Sequence, residues 1–310
     1  MGMNWTKRSY RHSASALGGA VPALMVFAAS IIWGSGGLFV SALEGFGLTN
    51  PEMTVVCLAT ALLAMSALLI TRHDSLARVE RANWPRFILL GTVGSFAFVL
   101  LYKYAISITG MATAAVLLYL MPSLVMMWEV MRGRERLSFG RISSLGLSLL
   151  GCSLVSGMWG GKAQLEFVGI IIGLAAALCY SLQNVLQASL VRRYPTLTVV
   201  FYNIAISAVC SVIYLLITET SLDFLAVYIA HPVALAVNIG FGLINSVLAW
   251  MLFNAAIKRM PVTQASIIAT NEPVAAAVLG AVFLGQALTV FTVAGIACEV
   301  AALVLMKMTK

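Results

Sequence analysis

The sequence predicts an all-α integral membrane protein whose ten transmembrane helices form two inverted five-helix repeats. Three observations carry that prediction. The 310 residues are 61% hydrophobic and only 10% charged, far outside the range of soluble domains. The apolar residues fall into ten runs of about 20, the length a helix needs to cross the hydrocarbon. Finally, Leu252 to Thr289 echoes Leu101 to Ser138 at an ungapped offset of 151 residues. At that offset Ala256 meets Ala105, Ile257 meets Ile106, Ala265 meets Ala114 and Leu288 meets Leu137. Pro273 meets Pro122, each in the middle of an apolar run. Five is odd, so the second repeat must cross the membrane in the opposite sense to the first. Strand-length alternation is absent, which excludes a β-barrel.

In order, the runs are Pro22–Ala42, Pro51–Thr71, Pro85–Ser107, Met111–Met131, Phe139–Met158, Phe167–Leu190, Pro195–Thr218, Pro232–Ile257, Pro261–Phe283 and Leu288–Met308. The chain divides into an N-terminal segment, 1–20, and two repeats, 21–160 and 161–310. Six prolines open spans, where a missing N–H costs nothing. Only Pro122 and Pro273 are expected inside one. There each removes a backbone hydrogen bond and leaves the carbonyl of Leu118 or Ala269 to be satisfied by protein, water or ligand.

The net charge is +8, but its distribution does not suit nucleic acid. Basic residues occupy every second connection: Lys7, Arg8 and Arg11, then Arg72, Arg78, Arg81 and Arg86, then Arg132, Arg134, Arg136 and Arg141. Arg192 and Arg193, Lys258 and Arg259, and Lys307 and Lys310 continue the series. Lys162 lies in an opposite-side loop. By the positive-inside rule both termini face the cytoplasm, as an even span count also requires. The expected location is the cytoplasmic (inner) membrane, with the lipid bilayer as obligatory surroundings.

The five cysteines lie within apolar runs without metal-ligand spacing and read as packing residues. No cofactor is implied, and nothing in the sequence speaks to oligomeric state. The first run is too long and proline-led for a cleaved signal. Met1-Gly2-Met3-Asn4-Trp5-Thr6 fits a myristoylation pattern, though an acyl chain would add little to ten spans.

Polar residues inside spans are the candidate functional groups. Glu272 centres the ninth span beside Pro273, where a desolvated carboxyl could bind and release a proton. The alternative is an acid bonded to a neighbouring helix within the Asn271-Glu272-Pro273 turn. Lys103, flanked by Tyr102 and Tyr104, lies about 9 Å outward of its span's centre by the helix rise. It either snorkels to the interface or faces inward as a cation above Glu272, suiting a zwitterion or an organic anion.

Gln183 and Gln187 share one face of the sixth span with Asn184 nearby, for interhelical hydrogen bonds or substrate contact. Trp33, Tyr119, Trp250 and Asn254 complete the candidates. Gly169 and Gly173 form a GxxxG pattern that reads as packing. Glu129 is expected to pair with Arg132 at the membrane surface. Glu299 is too deep in the tenth span to snorkel and has no assigned role.

Taken together, Trp33-Gly34, the proline of the fourth span with its Gly133-Arg134-Glu135-Arg136-Leu137-Ser138 exit, and Glu272-Pro273 followed by Leu284-Gly285-Gln286-Ala287-Leu288-Thr289 resemble the EamA-type members of the drug/metabolite transporter superfamily. Gln286 departs from the acid usual there, which Glu135 keeps in the first half. The resemblance implies that spans one, three, four, six, eight and nine surround a central cavity, with five and ten outside it. It also implies export of an amino-acid-like or drug-like metabolite.

No Walker motif is present, so an ion gradient is the expected driving force, with proton coupling through Glu272. Import or exchange of a small organic ion is the alternative, followed by a passive channel or a receptor. The lack of a His-Glu-x-x-His motif and of any in-span histidine to activate Ser35 argues against an intramembrane enzyme.

Overall fold

The computed structural model describes residues 16–71, 78–135, 138–156, 158–160, 166–218, 222–285 and 287–308. Lys7, Arg8, Arg11, Arg72, Arg136, Lys162, Gln286, Lys310 and the Gly2 pattern lie outside them. Eight helices are long and apolar enough to cross a membrane: α1 (Ala20–Glu44), α2 (Asn50–Thr71), α3 (Arg81–Gly110), α4 (Thr113–Met131), α6 (Phe167–Leu190), α7 (Thr196–Ile217), α8 (Pro232–Ile257) and α9 (Val262–Leu284). Two shorter apolar helices, α5 (Phe139–Val155) and α10 (Val290–Met308), complete the ten. Large apolar side chains such as Leu63, Ile217 and Val290 point outward from the bundle, the reverse of a soluble protein, as lipid contact requires.

Local chemistry sets the helix ends. The Glu52 carboxylate accepts the Thr49 N–H at 2.6 Å ahead of α2, a capping contact. Ser138 accepts the Arg141 N–H at the start of α5. The chain leaves both α4 and α9 through a left-handed glycine, Gly133 (φ 66°) and Gly285 (φ 65°), a conformation in which a Cβ would be strained.

Two expectations about proline reverse. Pro22 lies inside the helix Ala16–Gly34 rather than opening it. Pro122 and Pro273 instead open new helical segments, Met121–Met131 and Glu272–Leu284. The membrane crossing is continuous in each case, but the helix is not. At each break the chain takes a three-residue turn, with Leu120 N–H on the Leu117 carbonyl and Asn271 N–H on the Ile268 carbonyl, both at 3.2 Å. The proline then sits in a first turn, where it has no N–H to lose.

The halves interlock. α1 packs on α8 as α3 packs on α6, α1 meets α9 as α6 meets α4, and α2 pairs with α7 and α5 with α10. Each equivalence exchanges one half for the other, the pattern of a pseudo-two-fold axis in the membrane plane. Gly169 and Gly173 sit against Thr109, Ile108 and Leu117 of α3 and α4, so the GxxxG face is used in internal packing. α3 and α8 share a feature that hydrophobic periodicity does not reveal. Each winds as a π-helix midway, over Leu90–Ala97 and Gly242–Leu248, positions related by the same 151-residue offset. At these turns Gly91 closes on Ile206 of α7, and its equivalent Gly242 closes on the Cys57 carbonyl of α2.

Candidate functional site

The π-wound turns carry a buried polar chain. Gln183 Nε2 on α6 donates to Ser95 Oγ on α3 at 2.7 Å, and Ser95 donates to Asn203 Oδ1 on α7 at 2.7 Å. Ser246, the equivalent of Ser95 on α8, lies 3.3 Å from Cys57 Sγ on α2. These groups line a partly open cavity of about 480 Å³ between α2, α3, α6, α7 and α8, within the size range of small-molecule sites. It extends away from the end of the bundle that carries Arg81, Arg132 and Arg192. Toward its far end Lys103 Nζ donates to Thr54 Oγ1 of α2 at 3.3 Å. Lys103 therefore points inward, and among the described lining residues it is the one charged group. α2 and α7, which the resemblance did not name among the helices around the cavity, supply part of its wall.

Glu272 lies elsewhere. It does not line this cavity. It is half-buried at the head of the second segment of α9. The phenols of Tyr102, Tyr119 and Tyr180, from α3, α4 and α6, lie close enough to sense its charge. Its side chain has no hydrogen-bond or ion-pair partner among the described residues.

An aromatic partition stands between acid and cavity. Phe98 and Trp250 line the cavity. Phe98 stacks on Tyr180 (centroids 4.5 Å apart, 7° between planes) and on Tyr102 (6.2 Å), while Trp250 packs on Trp33 at 4.7 Å. Gly34, next to Trp33, is where α1 itself breaks at Ser35. A Cβ there would lie 2.7 Å from the Glu272 carbonyl oxygen and 2.9 Å from the Ala276 nitrogen, so the break in α1 closes directly on the break in α9.

The remaining candidates are placed as follows. Asn184, Asn254 and Asn271 are buried and donate to carbonyls of their own helices, those of Tyr180, Trp250 and Ile268. Gln187 is buried with its Oε1 unpartnered among the described residues. Glu129 is corrected: it is 3% exposed and pairs with Arg134 at 3.3 Å, while Arg132 lies over the Trp128 ring at 4.5 Å. Weakly hydrated guanidinium stacks readily on an aromatic face. Glu135 pairs with Arg141 at 3.3 Å.

Sequence reading missed Ser95, Asn203, Thr54, Phe98 and Tyr180. The match of Ser95 with Ser246 across the repeat was the one signal available for any of them.

Interlocked inverted repeats, broken central helices and a cavity within the bundle define a membrane transporter. A family comparison gives the particular kind. The chain belongs to the EamA-like transporter family, whose model matches residues 21–157 and 167–308. It is 30% identical to an uncharacterized transporter of Archaeoglobus fulgidus over 68% of this chain and 73% of that one. It is 26% identical to the uncharacterized transporter YwfM of Bacillus subtilis over 90% and 91% of the two chains. The uncharacterized inner membrane transporter YicL of Salmonella typhimurium is 22% identical over 86% and 88%. A solved crystal structure shares the fold, with a TM-score of 0.79 at 19% identity over 93% of this chain and 97% of that one.

Proposed function

We propose that the chain is a secondary active exporter of a small amphipathic metabolite bearing a carboxylate, working by alternating access and coupled to protons through Glu272. The observation that carries this reading is the division of charge. Among the described residues, Lys103 is the one cation lining the cavity, and Glu272, without a hydrogen-bond or ion-pair partner, lies behind the aromatic partition at a helix break. Lys103 would take the substrate carboxylate. Phe98, Trp250 and the neighbouring apolar wall would take its body, and the Ser95–Gln183–Asn203 chain would orient its polar groups. Glu272, lacking a fixed partner, is free to exchange a proton as the partition rearranges. Outward transport is the direction that family resemblance implies, with both termini and the arginine-rich end cytoplasmic.

The substrate reading is tested in liposomes by radiolabelled counterflow, which a passive channel or a receptor would not show. Lys103→Met should weaken binding of an amino acid at least tenfold while changing binding of its amide less than twofold. An unchanged acid-to-amide ratio would mean that Lys103 reads no charge. Orientation is tested with single cysteines in a cysteine-free background. One beside Lys162 should react with an impermeant maleimide added to intact cells and one beside Arg134 should not; the opposite pattern reverses the topology.

A further inference from the structure

Glu299 lies on α10, away from both the cavity and the tyrosines around Glu272, and is 1% exposed. A carboxyl at such a depth is costly unless its oxygens are satisfied, and all its partners come from other helices. Ser148 Oγ on α5 lies 3.3 Å from Oε2 and 3.4 Å from Oε1, and Cys152 Sγ donates to Oε1 at 3.0 Å. Thr270 Oγ1, at the α9 break, meets Oε2 at 3.1 Å. Ser148 and Thr270 also share a hydrogen bond of 2.7 Å. The close crossing of α5 and α10 makes room for this cluster: a Cβ on Gly151 would meet Glu299 Cγ at 2.9 Å and the Gly295 carbonyl at 2.9 Å.

The cluster is a hub of hydrogen bonds and not an ion pair. Among the described residues, no lysine or arginine pairs with Glu299. The titratable group facing it among the described residues is Cys152 of α5. Its place in the repeat is also informative. Ser148 and Glu299 are equivalent at the 151-residue offset, so they meet each other across the pseudo-two-fold axis. Thr270 is equivalent to Tyr119, which has no acid clamping its break. Among the described residues, only the break in the second half is clamped in this way, by groups drawn from both halves.

We propose that Glu299 is a positioning residue for Glu272. Through Thr270, two residues upstream, it fixes the turn that aims the Glu272 carboxylate, and it works by accepting hydrogen bonds. The inference rests on the reading of Glu272 as the coupling acid, so its test needs a readout independent of transport.

Reconstituted full-length protein is treated with a hydrophobic carbodiimide, and the rate of Glu272 modification is followed by peptide mass spectrometry. Glu299→Leu and Thr270→Val should each change that rate at least fivefold and lower proton-driven accumulation about tenfold, with the substrate KM within twofold. Glu299→Gln removes the charge but keeps an acceptor oxygen for Cys152 and an amide N–H that the Ser148 and Thr270 hydroxyls can accept, and it should match the parent in both measurements. A parental modification rate in Thr270→Val overturns the proposal, and that variant decides the matter if Glu299→Leu fails to fold. Damage in Glu299→Gln equal to that in Glu299→Leu also overturns it, because charge would then be the operative property. If Glu272→Gln keeps its proton dependence, the coupling reading falls by itself, while the modification rates still decide whether Glu299 positions residue 272.

Discussion

The breaks in α4 and α9 have nearly the same backbone and opposite contents. Tyr119 (φ −73°, ψ 4°) corresponds to Thr270 (φ −65°, ψ −4°), and Leu120 (φ −68°, ψ −14°) to Asn271 (φ −73°, ψ −7°). A proline follows two residues on in both. In the first half the turn presents Tyr119, Leu120 and Met121, and Met121 is 1% exposed. In the second it presents Thr270, Asn271 and Glu272, and Glu272 is half-buried. Repetition has thus preserved the geometry that frees backbone groups in mid-membrane. The acid stands in one copy only. A break is needed on both sides of the axis if the halves are to exchange conformations, whereas the proposed proton coupling would need one titrating group.

The sharpest test of that asymmetry exchanges the two turns' functional burdens. Glu272→Gln preserves shape but cannot titrate, and should lower proton-driven accumulation at least tenfold while sparing substrate exchange. Its equivalent, Met121→Leu, conserves volume and should stay within about 1.5 kcal/mol of parental stability with full activity. Unaltered proton dependence in Glu272→Gln would make the two breaks functionally alike.

A smaller effect is expected from the helices that cross each break. Gly34 meets rigid backbone of α9 at Glu272 and Ala276, whereas Gly173, where α6 crosses α4 in the other half, meets only the Leu117 side chain, its Cδ1 at 2.6 Å. Gly34→Ala should cost about 2–3 kcal/mol by overpacking. Gly173→Ala should cost about 1 kcal/mol because a leucine side chain can swing aside. Thermal midpoints in detergent decide it, and equal shifts would remove the distinction.

The smallest difference should be found where the halves converge again, at their exits. Gly133 and Gly285 have the same left-handed φ, and neither would bring a Cβ within 4 Å of a neighbour. Alanine at either should cost about 1–2 kcal/mol of backbone strain, and the two values should agree. A large disparity in measured stability would show that the repeat's symmetry stops at the breaks.

Much of this architecture was legible in the chain. Ten apolar runs, alternating basic connections and a constant offset located the helices to within a few residues, because crossing a bilayer imposes length and polarity on each segment separately. Lys103, Gln183, Trp250 and Glu272 stood out for the same reason, as polar or amphipathic groups in segments that disfavour them. The place of Pro22 was misread, since an apolar run does not show where its helix begins. The partner of Glu129 was misread too, because a salt bridge depends on the path of the loop.

Other features existed only once the helices were packed. The π-wound turns of α3 and α8 leave no periodic trace, and Ser95, Asn203 and Thr54 are ordinary residues of membrane helices until three of those helices meet around a cavity. The separation of Lys103 from Glu272 by Phe98 and Trp250 is a property of four helices together. Glu299 carried no role in the sequence. It acquired partners when α5, α9 and α10 brought Ser148, Cys152 and Thr270 to its carboxyl. A residue's depth in the bilayer follows from its own segment, whereas its partners follow from tilts and crossings that only the whole bundle determines.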